Sequence, residues 1–210
     1  MLASLDEFPR DYLVRKHNNN KIILHTSNTG ICDINKYAKQ SLEIDNDAKR
    51  RSKDEAISIH IITDKLGTRL NILYERQICA FYGKPDFIIR LGKKLYIMVS
   101  TTRAVCHTGT SRNGKSPKYK SRDFTQREAD RLVRKKLTGL SICQNNLECL
   151  VDEVIEEDHL VRPVLHILTP NKLNAIMCMK SYKDLLTENK LDLAEIKVII
   201  SCVENHKDVL

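Results

Sequence analysis

Two acidic side chains near the start of an apolar hairpin pattern are the residues of this chain best suited to bind a metal ion. Asp86 follows Pro85 at the head of a strand-like segment, and Glu75 lies eleven residues earlier. Carboxylate oxygens are hard ligands that suit Mg²⁺ or Mn²⁺. A cation held in this way polarises a phosphate and lowers the pKa of an attacking water. We therefore predict Asp86 and Glu75 as metal ligands and as catalytic residues.

Two further side chains can complete such a site, although each also has a simpler role open to it. His60 lies on the apolar side of a helical pattern, where it can be a third metal ligand or a hydrogen-bonded core histidine. Lys118 lies in a polar segment, where it can stabilise negative charge during catalysis or belong to a solvated loop. The sequence leaves both choices open.

The positive charge of the chain is concentrated in one segment. The formal net charge is +8, and residues 101–140 carry eleven Lys or Arg against three acids. Residues 144–158, by contrast, carry six acids and no Lys or Arg. Basic blocks attract phosphate backbones by releasing counterions, although many charged helix faces are only solvated surface. We predict phosphate contacts for seven of the basic residues, namely Arg103, Lys118, Lys120, Arg127, Arg131, Arg134 and Lys135.

Hydrophobic periodicity divides the chain into helices and strands. Helices are predicted for residues 3–16, 45–65, 68–81, 125–140, 147–157, 171–179 and 182–188. Strands are predicted for residues 21–25, 86–91, 94–102, 162–168 and 195–203, with a glycine turn between the second and the third. Residues 106–122 are predicted to form a mobile basic loop. The order favours an α/β fold with a mixed central sheet flanked by helices.

Composition limits the cellular setting. The seven cysteines are scattered and no two have CxxC spacing, which argues against a zinc site and favours reduced thiols inside a cell. No apolar run approaches the roughly 20 residues of a membrane-spanning helix. The first ten residues contain early acids and lack the apolar core of a signal peptide. These features predict an intracellular protein that does not enter a membrane.

The residues around the hairpin resemble those of a known family. Lys84–Pro85–Asp86, a glycine turn and the segment Tyr96–Val105 resemble the endonuclease core of the polymerases of segmented negative-strand RNA viruses. The likeness is to the N-terminal domains of the orthomyxovirus polymerase acidic subunit and of the bunyavirus and hantavirus L protein. It covers about residues 45–170 and is specific over some twenty of them.

The resemblance implies a PD-(D/E)XK nuclease fold, two manganese ions and cap-snatching, in which capped host mRNA is cut to prime viral transcription. It implies an endonuclease-like domain over residues 1–170, with residues 171–210 extending that domain or starting a connection to a larger subunit. The implied partners are RNA and other viral polymerase subunits, in the host nucleus or cytoplasm. Met98 stands where the family has a metal-binding glutamate, so the implied site is degenerate, because a thioether does not bind a hard cation well.

Three functions are compatible with these expectations, and the sequence does not decide whether the chain is an enzyme. The first is an endonuclease-like polymerase domain with impaired catalysis that binds RNA or polymerase subunits. The second is an active Mn²⁺- or Mg²⁺-dependent endonuclease with a metal site rearranged around Asp86 and Glu75. The third is a non-catalytic interaction protein that docks through its acidic segment, residues 148–158, or through its C-terminal segment.

Overall fold

Among the residues that the structure describes, seven strands form one sheet with helices on both faces. The computed structural model describes residues 13–17, 20–27, 34–44, 51–66, 70–75, 78, 85–92, 95–105, 124–144, 160–188 and 196–203. The strands are β1 Leu13–His17, β2 Asn20–Ser27, β3 Asn71–Tyr74, β4 Phe87–Leu91, β5 Leu95–Arg103, β6 Leu160–Thr169 and β7 Lys197–Val203. The helices are α1 Lys36–Ile44, α2 Arg51–Leu66, α3 Gln126–Gln144 and α4 Lys172–Glu188.

The sheet is mixed, with the strand order β1-β2-β7-β6-β5-β4-β3. The four central strands β2, β7, β6 and β5 are mutually parallel. At the two ends, β1 pairs antiparallel with β2, and β5, β4 and β3 form an antiparallel meander. Parallel neighbours need long crossover connections, and these include α3 between β5 and β6 and α4 between β6 and β7.

Apolar layers cover both faces of the sheet, because successive side chains of a strand point to opposite sides. Ile88 and Met98 pack with buried residues of α3 and α4, on what is termed below the α3 face. Phe87 and Val99, their neighbours along the same strands, pack with α1 and α2 on the α2 face. The described residues therefore form three layers, with the sheet between the pair α1 and α2 and the pair α3 and α4.

The predicted α/β fold with a mixed sheet flanked by helices is confirmed. The predicted hairpin is present as β4 and β5, in register from the pair Phe87–Val99 to the pair Leu91–Leu95. Gly92 begins its turn with a φ of 67°, a left-handed conformation that glycine adopts without a Cβ clash. The two helices predicted after β6 are a single helix, α4.

The prediction of a helix over residues 68–81 is wrong where the structure describes that segment. Ile72 and Tyr74 are buried whereas Asn71 is exposed, which is the alternation of a strand, β3. The apolar spacing fits a helix as well, but β3 gains backbone hydrogen bonds to β4 and buries its alternate side chains against the α2 face. A long-range pairing therefore overrides the local pattern.

The helix predicted over residues 3–16 is also wrong in its described part. Residues 13–17 form β1, which pairs in antiparallel register with β2. The predicted basic loop 106–122 and the predicted acidic helix 147–157 lie outside the described residues.

A capping box fixes the start of α3. The Glu128 carboxylate accepts a hydrogen bond from the Thr125 backbone N–H at 2.8 Å, and the Glu128 N–H donates to the Thr125 hydroxyl at 3.4 Å. At the other side of this helix, the Ser181 hydroxyl of α4 donates to Asp130 at 2.6 Å. These contacts set the position of α3, which carries a lysine of the site described next.

Candidate metal centre

Three carboxylates from three separate segments meet at one end of the β3–β4 pair. Glu55 is in α2, Glu75 directly follows β3, and Asp86 directly precedes β4. One ligand oxygen of each lies within 4.8 Å of those of the other two. The Glu55 side chain is only 5% exposed, and the other two are half-buried. This acidic group can hold a metal ion.

The register of the sheet explains why these residues converge. Tyr74 pairs with Phe87, so the residues next outward on the two strands, Glu75 and Asp86, lie near each other across the antiparallel pair. Helix α2 covers this end of the sheet, where Ala56 belongs to the same apolar cluster as Tyr74 and Phe87. The residue before Ala56 is the third carboxylate, and it is thereby carried to the strand ends.

Donors on β5 hold one oxygen of Asp86. The backbone N–H of Asp86 donates to the Val99 carbonyl at 2.9 Å, which extends the β4–β5 ladder by one hydrogen bond. Oδ2 accepts a hydrogen bond from the Thr101 backbone N–H and another from the Ser100 hydroxyl at 3.3 Å. The orientation of this carboxylate is therefore fixed by the neighbouring strand.

Lys136 reaches the same carboxylate from α3. Its Nζ lies 3.2 Å from Ser100 Oγ and 4.0 Å from Asp86 Oδ2. Its neighbour Leu137 is fully buried, so the lysine lies at the border of the buried face of α3, and its side chain is 30% exposed. A half-buried ammonium group beside a metal-binding cluster is well placed to stabilise negative charge on a phosphate.

The burial and charge of the acidic group fit a divalent cation. Three ionised carboxylates this close repel one another, and the burial of Glu55 removes water that would screen them. Thr101, whose backbone N–H binds Asp86, has a buried Oγ1 with no hydrogen-bond partner in the described part of the chain. Buried hydroxyls are normally satisfied by a partner, a water or a ligand.

A buried polar network fixes α2, and hence Glu55, against the sheet. Ser58, one helical turn after Glu55, places its Oγ 2.6 Å from His166 Nδ1 on β6. The other ring nitrogen, Nε2, lies 2.8 Å from Ser201 Oγ on β7. All three side chains of this Ser58–His166–Ser201 network are fully buried. The network restricts both the rotation and the sliding of α2.

The structure brings together two of the predicted metal ligands and leaves the third apart. Asp86 and Glu75 meet, although Glu75 follows a strand rather than lying on the predicted helix. His60 does not belong to the acidic group, and its Nδ1 accepts the backbone N–H of Asn35 at 3.3 Å. His60 lies five residues after Glu55 on α2, so the two side chains leave the helix about 140° apart around its axis. His60 thus links α2 to the start of α1.

Three of the predicted phosphate-binding residues form an exposed stripe on α3. Arg127, Arg131 and Lys135 recur every four residues, so they share one face of the helix. Lys118, the predicted catalytic lysine, and Lys120 lie outside the described residues.

Two others are engaged in ion pairs within the chain. Arg103, at the end of β5, pairs with Asp54 of α2, the residue before Glu55. Arg134 pairs with Glu188 at 2.9 Å, which joins α3 to the end of α4. These two arginines therefore contribute to the packing of the helices.

Two residues of the site, Glu55 and Lys136, were not predicted from the sequence. The signal for Glu55 is its place directly before the apolar pair Ala56–Ile57, which puts it next to residues that are expected to be buried. Acids are rarely buried without a partner or a metal. Lys136 is one of many cations on α3, and only its position next to Leu137 places it at the border of the apolar face.

The buried thiols of α3 and α4, Cys143 and Cys178, are poorly suited to act as nucleophiles. Burial raises the pKa of Cys143 to about 11 and that of Cys178 to about 12. Both groups therefore stay protonated at neutral pH, and a thiol is a much weaker nucleophile than a thiolate.

Comparison of the chain with protein-family models, with curated proteins and with solved structures finds no match. In the part of the chain that the structure describes, no helix is long and apolar enough to cross a membrane. The functional assignment therefore depends on the geometry of the acidic group and its neighbours.

Proposed function

We propose that this chain is a metal-dependent phosphodiesterase, an endonuclease-like domain that cuts RNA. The observation that carries the proposal is the convergence of Glu55, Glu75 and Asp86 within 4.8 Å, with the ammonium group of Lys136 beside them. Carboxylate ligands of this kind favour Mn²⁺ or Mg²⁺ over softer metals. Of the three functions compatible with the sequence, this geometry best supports the active endonuclease with a rearranged site.

Each side chain has a role that its position supports. Glu55, Glu75 and Asp86 would hold the cation, which when bound polarises the phosphate and lowers the pKa of a water. Lys136 is placed to stabilise the negative charge that develops on the phosphate. Ser100 orients this lysine, because its hydroxyl accepts from Nζ at 3.2 Å and donates to Asp86 at 3.3 Å.

A nucleic acid is the substrate class that fits the surroundings of the site. The exposed stripe of Arg127, Arg131 and Lys135 lies on the same helix as Lys136 and extends for about 12 Å along it. A phosphate backbone bound at the site can follow this stripe. From the sequence resemblance around the hairpin, we further propose RNA as the nucleic acid, viral polymerase subunits as partners, and the host nucleus or cytoplasm as the location.

Mn²⁺ is expected to stabilise the chain and to activate cleavage of single-stranded RNA. A ligand that binds only the folded state adds about 2.7 kcal/mol at a free concentration about 100 times its Kd. In a chain of this size, that corresponds to a rise in Tm of roughly 5–10 °C. Thermal melts with and without MnCl2, together with cleavage of a fluorescently labelled RNA, measure the two effects.

Asp86→Asn and Glu43→Gln form a matched pair for this experiment. Asp86→Asn keeps the side-chain shape but removes the charge of a ligand, so both effects should disappear. Glu43 is exposed on α1, and Glu43→Gln should keep both. Stabilisation of the wild type without cleavage would favour the impaired domain, and no stabilisation by Mn²⁺ would refute the metal site.

Binding of RNA is expected to weaken steeply with salt, and the α3 stripe should account for part of the slope. Each phosphate contact to a single strand contributes about 0.7 to the slope of log K against log salt. The double variant Arg127→Gln/Arg131→Gln should therefore lower the slope by about 1.4. Fluorescence anisotropy over a salt series, in EDTA to prevent cleavage, gives this value.

The matched control for the stripe removes two exposed charges from the opposite side of the sheet. Lys36 and Lys39 lie on α1 and are both exposed. Lys36→Gln/Lys39→Gln changes the net charge by the same amount and should leave the slope almost unchanged. Equal slopes for the two double variants would show that α3 makes no specific phosphate contacts.

A further inference from the structure

We infer that the Thr101 hydroxyl is a fourth oxygen ligand of the cation that Glu55, Glu75 and Asp86 would hold. This inference rests on the proposed function, because it concerns the same acidic group. It adds a neutral ligand from β5, a strand that supplies none of the three carboxylates.

The backbone of Thr101 places this residue beside the acidic group. Its N–H donates to Asp86 Oδ2, an oxygen of one of the three clustered carboxylates. The hydroxyl oxygen of a threonine is only three covalent bonds from its own backbone nitrogen. Thr101 Oγ1 therefore lies close to the Asp86 carboxylate.

The alternation of β5 directs the Thr101 side chain to the α2 face. Val99, two residues earlier, packs in the apolar cluster of that face. Arg103, two residues later, pairs with Asp54 of α2. The hydroxyl of Thr101 lies between these two contacts and thus faces the same helix.

The neighbouring strand β6 identifies the turn of α2 that Thr101 faces. Thr101 pairs in register with His166, whose ring contacts Ser58 of α2. Asp54 and Ser58 are four residues apart, so they bound a single helical turn, and Glu55 lies within it. Thr101 therefore faces the turn of α2 that carries a carboxylate of the acidic group.

The Thr101 hydroxyl is buried but makes no hydrogen bond. The residue is 6% exposed, and its Oγ1 has no partner among the residues that the structure describes. Ser100, which points to the other face, uses its hydroxyl to contact Asp86 and Lys136. A buried hydroxyl without a partner costs free energy, and most are satisfied. Hydroxyl oxygens are hard neutral ligands that bind Mg²⁺ at other protein sites, so a cation would satisfy this one.

Thr101→Val tests the inference because valine keeps the shape of the side chain and removes only the hydroxyl. In EDTA, the Tm of this variant should equal or exceed that of the wild type, since an unpaired buried hydroxyl has become a methyl group. Its Mn²⁺ affinity, measured by calorimetry on the full chain, should nevertheless fall at least about tenfold. Thr101→Ser keeps the hydroxyl and should keep most of the affinity.

Thr101→Cys tests direct contact with the ion. A thiolate is a soft ligand that prefers Cd²⁺ to Mn²⁺. The variant should therefore bind Cd²⁺ more tightly than the wild type does, and it should show a thiolate-to-cadmium charge-transfer band in the ultraviolet. Subtracting the spectrum of the Cd²⁺-treated wild type removes the contribution of the seven native cysteines.

Thr169 provides the matched control. It is a fully buried threonine of β6, and its hydroxyl donates to the Ser201 carbonyl at 3.2 Å. Thr169→Val removes a hydroxyl that has a partner, so it should lower the Tm in EDTA and leave the Mn²⁺ affinity unchanged. Thr169→Cys should add no cadmium band to that of the wild type.

The outcomes separate this inference from the proposed function. Wild-type Mn²⁺ affinity in Thr101→Val, or a Tm in EDTA below that of the wild type, would overturn the inference and leave the metal-dependent nuclease standing. A cadmium band in Thr101→Cys no larger than that of Thr169→Cys would do the same. Absence of Mn²⁺ binding in the wild type would overturn both.

Discussion

Replacing Glu55 with glutamine is expected to abolish Mn²⁺ binding and to slow RNA cleavage by at least about 1,000-fold, because a bound metal contributes several kcal/mol to catalysis. The amide keeps the size of a side chain that is only 5% exposed, but it is a much weaker ligand. The metal-free variant should be at least as stable as the wild type, since one of three neighbouring carboxylates has lost its charge. This combination distinguishes a metal ligand from a residue that only supports the fold.

Three measurements on the Glu55→Gln chain test this expectation: calorimetric titration with MnCl2, single-turnover cleavage of RNA and urea unfolding in EDTA. The control is again Glu43→Gln, which makes the same chemical change at an exposed position of α1. Wild-type Mn²⁺ affinity in Glu55→Gln would remove Glu55 from the ligand set. A large loss of stability without metal would instead give this residue a structural role.

His166→Ala is expected to lower the free energy of unfolding by about 3–5 kcal/mol, which is a large effect for a single polar residue. The imidazole is fully buried, so its removal leaves a cavity at the centre of the sheet. It also takes a hydrogen-bond partner from Ser58 and from Ser201. Both serine hydroxyls are fully buried, so water does not replace the lost partner.

The same variant is expected to bind Mn²⁺ more weakly, because Ser58 no longer holds the helix that carries Glu55. Leu185→Ala on α4 provides the comparison, since it also removes a buried side chain but lies on the α3 face. Urea unfolding measures the two losses of stability, and Mn²⁺ titration at low denaturant compares the two affinities. If both variants keep wild-type Mn²⁺ affinity, the Ser58–His166–Ser201 network stabilises the fold without positioning the metal ligands.

The elements that could be predicted from the sequence are those whose signals are local. The β4–β5 hairpin combines two apolar strands with Gly92, whose left-handed φ suits a tight turn. Helix α3 is capped by Thr125 in a capping box that includes Glu128, and its apolar residues recur at helical spacing. Asp86 could be recognised for the same reason, because it stands directly before a clear strand.

The features that could not be predicted depend on contacts between distant segments. Strand β3 has four residues, and its alternation is visible only when the α2 face that buries Ile72 and Tyr74 is known. Glu55 precedes Asp86 by 31 residues, and only the packing of α2 on the sheet brings the two together. An acid on a helix usually faces solvent, so the place of Glu55 directly before an apolar pair does not by itself distinguish a metal ligand from a surface acid.

The position of β7 determines how late in synthesis the central sheet can be completed. β7 is the last described strand in the chain but lies inside the sheet, hydrogen-bonded on one side to β2 and on the other to β6. Until residue 203 has left the ribosome, β2 and β6 each have one unpaired edge. The strands β2 and β7, which must pair, are separated by most of the sequence, and such non-local pairing is slow to form. The nascent chain therefore has to keep its early hairpin, β1 and β2, from pairing with other strands until β7 is available to join β2 to β6.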